Sequence, residues 1–439
     1  MGQRFYIETL GCPKNQVDSD KIVGTLLADG LEPTDDVAAA DLVVVNTCAF
    51  IDEARRESID TVLGLAEQRR AGARLVVTGC MAERYGDELA AALPEVDQVA
   101  GFGVPVAPTV ATPAGKRLIP VTVGSVPTLD LLNLPRPAST SPWAYVKIAE
   151  GCDRTCGFCA IPSFRGPQRS RDIDSILREV DELGAQEIVL VAQDLASFGK
   201  DRPDELGAGS IVPLVRAVSG RAPWTRLLYL YPSDLTDDLV DAICGTGVPY
   251  FDLSLQHVSK PLLRRMRRWG DGQRFLDRIA GIRAREPQAA FRSNFIVGYP
   301  GETEADHDEL LRFVDEAALD WCGFFAYSPE EGTYAITLDG AVERSLVDER
   351  LAELRELQDE ITARRRDDLI GSTQQVLVDE PGVGRTHREA PEIDGVVELP
   401  DDLVPGQFAT VRIVGAMGPD LVAEHVAAAP LGARTGAEV

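Results

Sequence analysis

Three cysteines stand within eight residues in the run GCDRTCGFCAIP, as Cys152-x3-Cys156-x2-Cys159. Three thiolates this close can hold a four-iron cluster while leaving its fourth iron without a protein ligand, and an open iron is a place where a small molecule can bind. A closed zinc site wants four ligands, often as two pairs, and a ferredoxin-type cluster wants a fourth cysteine nearby. The run offers neither. Crowded thiols with no metal to hold them are a chemical hazard, because thiolates oxidise and exchange. The spacing therefore points to iron–sulfur chemistry with one open coordination position.

A second trio is spread along the first hundred residues. The runs FYIETLG, DLVVVNTC and RLVVTGC read as buried parallel strands, alternating with helical stretches over 19–28 and 52–68, which is the order of an open α/β sheet. A cysteine stands at or just past the end of each run, so Cys12, Cys48 and Cys80 fall at the carboxyl edge of the sheet, where such folds place ligands. Any one of these is unremarkable; the repeated placement makes a second three-thiol group, also one ligand short of closure.

The elements that must position these groups follow from the rest of the chain. Its 439 residues exceed a single hydrophobic core, so two or three domains are expected, and 44% apolar content supports globular folding. No uninterrupted apolar stretch reaches the roughly 18 residues a membrane helix needs. The start MGQRFYIETLGCPKN reads into a strand rather than a signal peptide, so a cytoplasmic protein is expected. Eight cysteines in a chain of this length suit metal ligation in a reducing compartment. With 44 Lys and Arg against 70 Asp and Glu, the net charge of −26 opposes attraction to phosphate backbones and favours a basic partner.

The expected organisation is a cluster-binding α/β domain over 3–115, a Pro-, Ser- and Thr-containing linker over 116–137, a second α/β unit over 138–369 and a small β-barrel over 371–436. The middle unit has too few strand–helix repeats for an eightfold barrel and fits an incomplete (β/α)6 barrel, closed at its end by an amphipathic helix over 343–369. In the last unit QQVLVDE, DGVVELP, GQFATVRIVGA and DLVAEHV read as short strands of an oligonucleotide-binding type barrel, followed by a frayed GARTGAEV. Gln193 and Asp194 end a barrel strand, where the active site of such a fold lies. In GYPGET, Gly298, Pro300 and Gly301 form a turn whose glycines allow a backbone to approach a ligand closely, with Glu302 or Thr303 starting the next helix. His257, ending LQH, is more simply structural than catalytic. Of Arg264, Arg265, Arg267 and Arg268, two at most need do more than solvate a helix.

Taken together, GCPKNQVDSD, VNTCAFIDEARRESI, GCMAERY, GCDRTCGFCAIPSFRGPQRSR, LQHVSKPLLRRMRR, VGYPGETEADH and YSPEEGT resemble the methylthiotransferase family of radical S-adenosylmethionine (SAM) enzymes, across nearly the whole chain. The resemblance implies an α/β multidomain fold of an N-terminal methylthiotransferase domain, a radical SAM core and a C-terminal TRAM barrel. It implies two 4Fe-4S clusters, one on Cys152, Cys156 and Cys159 that cleaves SAM, the other on Cys12, Cys48 and Cys80 that delivers sulfur. Two SAM molecules are consumed per turnover, and Gln193, Asp194, Gly298, Pro300 and Gly301 are candidates for contacting SAM.

YSPEEGT and LQH resemble the branch that β-methylthiolates an aspartate of the small-subunit ribosomal protein uS12, whereas tRNA-modifying relatives carry a more basic Arg-Pro-Gly-Thr version. Asp20 stands where relatives often have Glu, and the carboxylate is kept. Residues 371–439 hold four Arg and no Lys against eleven Asp and Glu, a net −7. That suits a basic ribosomal protein better than RNA, so no specific nucleic acid and no membrane are expected as partners. The electron and sulfur donors are not legible. A tRNA adenosine methylthiotransferase and a non-catalytic iron–sulfur electron-transfer protein remain as alternatives.

Overall fold

The structure is a computed structural model that describes residues 2–107, 130–206 and 209–426. Most of the expected linker, 116–129, and the tail GARTGAEV lie outside the described residues.

The N-terminal unit is a five-stranded, all-parallel sheet in the order β2-β1-β3-β4-β5, from β1 (Arg4–Thr9), β2 (Glu32–Pro33), β3 (Leu42–Thr47), β4 (Arg74–Gly79) and β5 (Gln98–Val99). Buried on both faces, its central strands read as the near-continuous apolar runs such a sheet demands. Helices α1 (Pro13–Ala28), α2 (Asp52–Gln68) and α3 (Cys80–Ala92) follow β1, β3 and β4. Helix α1 starts earlier than the expected 19–28. Pro13 takes its first position, where a fixed φ suits the helix and the missing N–H costs nothing, so Cys12 becomes the N-cap.

The middle unit is an open parallel arc. Strands β6 (Trp143–Lys147), β9 (Glu187–Val191) and β10 (Trp224–Leu227) form one ladder in the order β10-β9-β6; β11 (Tyr250–Gln256), β12 (Ala290–Val297) and β13 (Trp321–Ala326) form the second. A parallel bridge between Leu230 and Leu253 joins them into the six-stranded partial barrel. The short pair β7 (Ala149–Glu150) and β8 (Arg169–Ser170) brackets the first cysteine-rich loop. Helices α4 (Ile161–Arg165), α5 (Ile173–Leu183), α6 (Val212–Ser219), α7 (Asp237–Cys244), α8 (Lys260–Arg265), α9 (Gly272–Arg285) and α10 (Glu304–Ala317) run between the strands. Thr303 caps α10 in a reciprocal box with Asp306. Helix α11 (Arg344–Asp367) packs along β13 and α10.

The C-terminal unit is a closed barrel in the order β14-β15-β16-β18-β17, from β14 (Thr373–Glu380), β15 (Val383–Arg385), β16 (Val397–Glu398), β17 (Phe408–Met417) and β18 (Asp420–His425). The loop between β15 and β16 packs into the amino-terminal end of the arc. There Tyr145 Oη donates to the Pro391 carbonyl, Trp321 Nε1 to the Arg388 carbonyl and Tyr250 Oη to Asp394. Glu187, fully buried, accepts from both Arg226 and Arg385 at 2.7 and 2.6 Å, so the two units share one buried charge cluster.

Candidate active site

The three N-terminal cysteines sit at strand-to-helix junctions on one sheet edge. Cys12 caps α1, Cys48 follows β3, and Cys80 opens α3 after Gly79. Gly79 has φ +88, and an added Cβ would lie 2.2 Å from Asn46 Oδ1, so no larger residue lets the chain turn there. Burial alone pushes the Cys12 thiol up, but Lys14, the backbone N–H of Asn15 and Arg165 outweigh it and hold it below its ordinary value. Burial raises Cys48 to about 12 and also raises Cys80, although Arg165 Nη2 donates to Cys80 Sγ at 3.0 Å.

The second trio lies on a loop fixed by backbone bonds. Cys152 N–H donates to the Gly166 carbonyl, Gly157 N–H to the Met266 carbonyl, and Ala335 N–H to the Gly157 carbonyl. Burial raises the thiols of Cys152 to about 11 and Cys159 to about 12. Arg268, from the arginine-rich run, is buried and donates to Cys156 Sγ at 3.2 Å. Of its neighbours, Arg265 braces the Pro300 carbonyl and Asp339.

All six cysteines line one cavity of about 560 Å³. The eight cysteines of the chain are free thiols. Among the described residues no three His, Cys, Asp or Glu side chains converge as a single-ion site. A four-iron cluster asks for something else, since each thiolate must reach a different iron. The donor set fits: two groups of three thiols, each flanked by a guanidinium that can balance thiolate charge, open onto a shared space.

The structure brings Gln193 and Asp194 to this cavity, both engaged with the cysteine loop. Gln193 Oε1 accepts from Gly151 N–H at 3.1 Å while its Nε2 donates to Glu150 at 2.7 Å. Asp194 accepts from Arg154 Nε at 2.5 Å, and Arg154 also pairs with Asp234 and lies 3.9 Å over the Tyr231 ring.

Gly298, Pro300 and Gly301 are not brought there. The close approach their glycines allow is to protein: an added Cβ at Gly298 would lie 2.4 Å from Val347 of α11, and one at Gly301 2.8 Å from Arg265 of α8. Glu302 closes this turn by accepting from the N–H groups of Gly298 and Tyr299. His257 is fully buried, with Nδ1 accepting from Ser259 N–H, and is no part of the cavity wall.

Sequence reasoning missed several residues that line the cavity. Tyr229 and Gln256 both have positive φ, 65° and 69°, which is costly for non-glycine residues and concentrates at functional sites. Arg292, Asn294 and Glu330 also line it. Arg165 was the one within reach of sequence reasoning, since it follows Cys159 by six residues in the run that carries the second trio.

Residues 4–101 match the uncharacterized protein family UPF0004, residues 146–314 the radical SAM superfamily and residues 370–426 the TRAM domain. The chain is 41% identical over 467 aligned residues to the ribosomal protein uS12 methylthiotransferase RimO of Cutibacterium acnes, spanning 95% of this chain and 97% of that one. It is 43% identical over 450 residues to the protein of that name from Anaeromyxobacter sp. strain K, spanning 98% and 95%. A solved structure of the radical SAM methyltransferase TsrM from Kitasatospora setae, with tryptophan substrate and a SAM analog bound, aligns at TM-score 0.48 and 14% identity, over 81% of this chain and 89% of that one. Among the described residues no helix is long and apolar enough to cross a membrane.

Proposed function

The chain belongs to the RimO family of ribosomal protein uS12 methylthiotransferases, radical SAM enzymes, and from that membership we propose that it replaces a hydrogen on the β-carbon of a uS12 aspartate with a methylthio group. The observation that carries this reading is the shared cavity, onto which both cysteine trios open. Sulfur delivery and hydrogen removal must act on one carbon, so their two centres must face one substrate. The reading assigns one four-iron cluster to Cys12, Cys48 and Cys80 and another to Cys152, Cys156 and Cys159; with SAM they supply radical formation and sulfur, which no side chain can provide.

The chain's own residues do the positioning. Gln193 and Asp194 pin Gly151 and Arg154, so the loop presenting the second trio is rigid before substrate arrives. Arg165 and Arg268 donate hydrogen bonds to one sulfur of each trio and place positive charge beside it. Phe158, Ile161, Ile296 and Phe325 give the cavity apolar walls.

Substrate capture is assigned to the C-terminal barrel. Arg385 and Arg388 are buried at its interface with the arc, whereas Glu380, Glu398, Asp401, Asp402 and Glu424 are exposed. Buried Arg385 and Arg388 are offset by Asp379 and Glu389, which are held in the same buried network, so the face left to solvent keeps its acidic excess and attracts a basic protein.

The test is an anaerobic reaction of the reconstituted full chain with SAM, a reductant, a sulfur source and either uS12 or tRNA, followed by mass spectrometry. A methylthio group on an aspartate β-carbon of uS12 is expected; modification of tRNA with none of uS12 refutes the assignment.

A further inference from the structure

The reaction proposed above acts on a carbon next to a carboxylate, and a carboxylate entering a partly buried cavity needs a cation to meet it. Five cationic side chains line the cavity: Lys14, Arg154, Arg165, Arg268 and Arg292. Four are engaged within the protein. Arg154 pairs with Asp194 and Asp234, Arg165 with Asp18 and Glu150, and Arg292 with Asp394 and Asp252 at 3.3 and 3.6 Å. Arg268 donates to the Ser254 carbonyl and to Cys156 Sγ and lies 4.2 Å over the Tyr231 ring.

Lys14 differs. Among the described residues its ammonium has no carboxylate or carbonyl partner: it lies 3.6 Å from the centroid of the Tyr229 ring and within electrostatic reach of the Cys12 thiol. That ring packs against the core, and the backbone carrying it is anchored by the Tyr229 N–H, which donates to Asp252 Oδ2 at 3.0 Å. Lys14 also occupies the first turn of α1, where the helix dipole opposes a cation and no acidic residue offsets it. The fold thus keeps an ammonium without a carboxylate partner at an unfavourable position on the wall of the reaction cavity, steadied by an aromatic face that offers cation–π attraction without using up its hydrogen-bond donors.

Resting on the methylthiotransferase reading, we propose that Lys14 receives the side-chain carboxylate of the substrate aspartate and so sets the preference for aspartate over asparagine. SAM carries a carboxylate of its own, and the experiment separates the two sources. Full-length wild type and the variants Lys14→Met, Lys14→Gln and Lys14→Arg are reconstituted anaerobically, with iron content as the loading control. Binding of substrate peptides carrying Asp or Asn is measured without reductant, SAM binding is measured separately, and kcat/KM follows on both peptides.

Wild type is expected to prefer the Asp peptide by about tenfold to a hundredfold, the range for one charged hydrogen bond. Met and Gln should abolish most of that preference by weakening the Asp peptide alone, and Arg should restore much of it. Equal affinity of wild type for both peptides, or an intact Asp preference in both neutral variants, overturns the proposal. So does weaker SAM binding with Asp discrimination unchanged, which assigns the ammonium to SAM instead. A wild type that modifies neither peptide defeats the methylthiotransferase reading itself, whereas neutral Lys14 variants that modify the Asp peptide as well as wild type does defeat only this assignment.

Discussion

Glu330, in the loop after β13, joins the two halves of the cavity and gives the sharpest quantitative test. Its carboxylate is 3% exposed and accepts from Arg55 of α2 at 2.5 Å and Arg84 of α3 at 2.7 Å, while Ser328 Oγ donates to it at 2.6 Å. Asp52 N–H, opening α2, donates to Ser328 Oγ. One carboxylate therefore ties the N-terminal sheet, which carries one trio, to the arc, which carries the other. Glu330→Ala leaves Arg84, itself 8% exposed, without a counter-charge, and breaking such a buried pair costs about 3–5 kcal/mol. Glu330→Gln keeps the shape and an acceptor, so its cost is that of a charged hydrogen bond, about 1.5–3 kcal/mol.

The assay for Glu330 is the urea midpoint of the anaerobic protein, read beside the ratio of 5′-deoxyadenosine formed to methylthio product. The Gln variant should lower the midpoint less than Ala and raise that ratio, because loosened halves generate radicals that sulfur does not meet. In the double variant Arg84→Met, Glu330→Gln the losses should fall short of additive. Wild-type midpoints and ratio in both single variants would show that the pairing does not hold the trios in register.

Three further outcomes follow from the structure. Changing Cys152, Cys156 and Cys159 to Ala should leave roughly half the iron and no SAM cleavage, while changing Cys12, Cys48 and Cys80 should keep reductive cleavage and lose methylthio product; full product from the second variant contradicts sulfur delivery. Burial lowers the His257 imidazole from 6.5 to about 4, against the opposing pull of Asp306 and with His307 and Arg350 adding to it. The unfolded chain therefore takes the proton first and stability falls between those values as pH drops, by about 3 kcal/mol in the limit; His257→Gln should remove this share of the acid slope, and an unchanged urea-midpoint profile counts against it. Reversing Glu380, Glu398, Asp401 and Glu424 to Lys should weaken uS12 binding and blunt its salt dependence, with Asp379 left alone because it holds Arg385 at 2.6 and 2.9 Å; unchanged affinity removes the barrel from substrate capture.

The cysteines were legible because the residue is rare and their positions fall where strand patterns end, so type and place spoke together. The six-stranded arc and the closing helix were legible from apolar runs and periodicity. The glycines of GYPGET show why such signals run out: a sequence can announce that a backbone comes close to something without naming what, and here it is Val347 and Arg265. The network of Arg154 with Asp194 and Asp234 left no trace either, since residues 40 and 80 positions apart share no period. Lys14 stands within GCPKN, but nothing in the sequence distinguishes an ammonium without a carboxylate partner from one with several.

Arg165 also holds the two trios together. Its guanidinium donates to Asn15 and Cys80 of the N-terminal unit at 2.9 and 3.0 Å, and pairs with Asp18 and Glu150, both at 3.1 Å, while lying 4.0 Å over Phe102. Lys147, fully buried, pairs with the same two carboxylates. Two cations and two carboxylates thus balance at the junction of two units, and Arg165 stands six residues past Cys159. Arg165→Met leaves one negative charge in excess in a site that excludes water, and should lower stability by about 3–5 kcal/mol. If charge balance is the reason, adding Asp18→Asn should recover part of that loss, so the double variant unfolds at higher urea than Arg165→Met alone. If Arg165 acts only through its contacts, removing a second polar partner must lower the midpoint further, and that result would refute the charge-balance account.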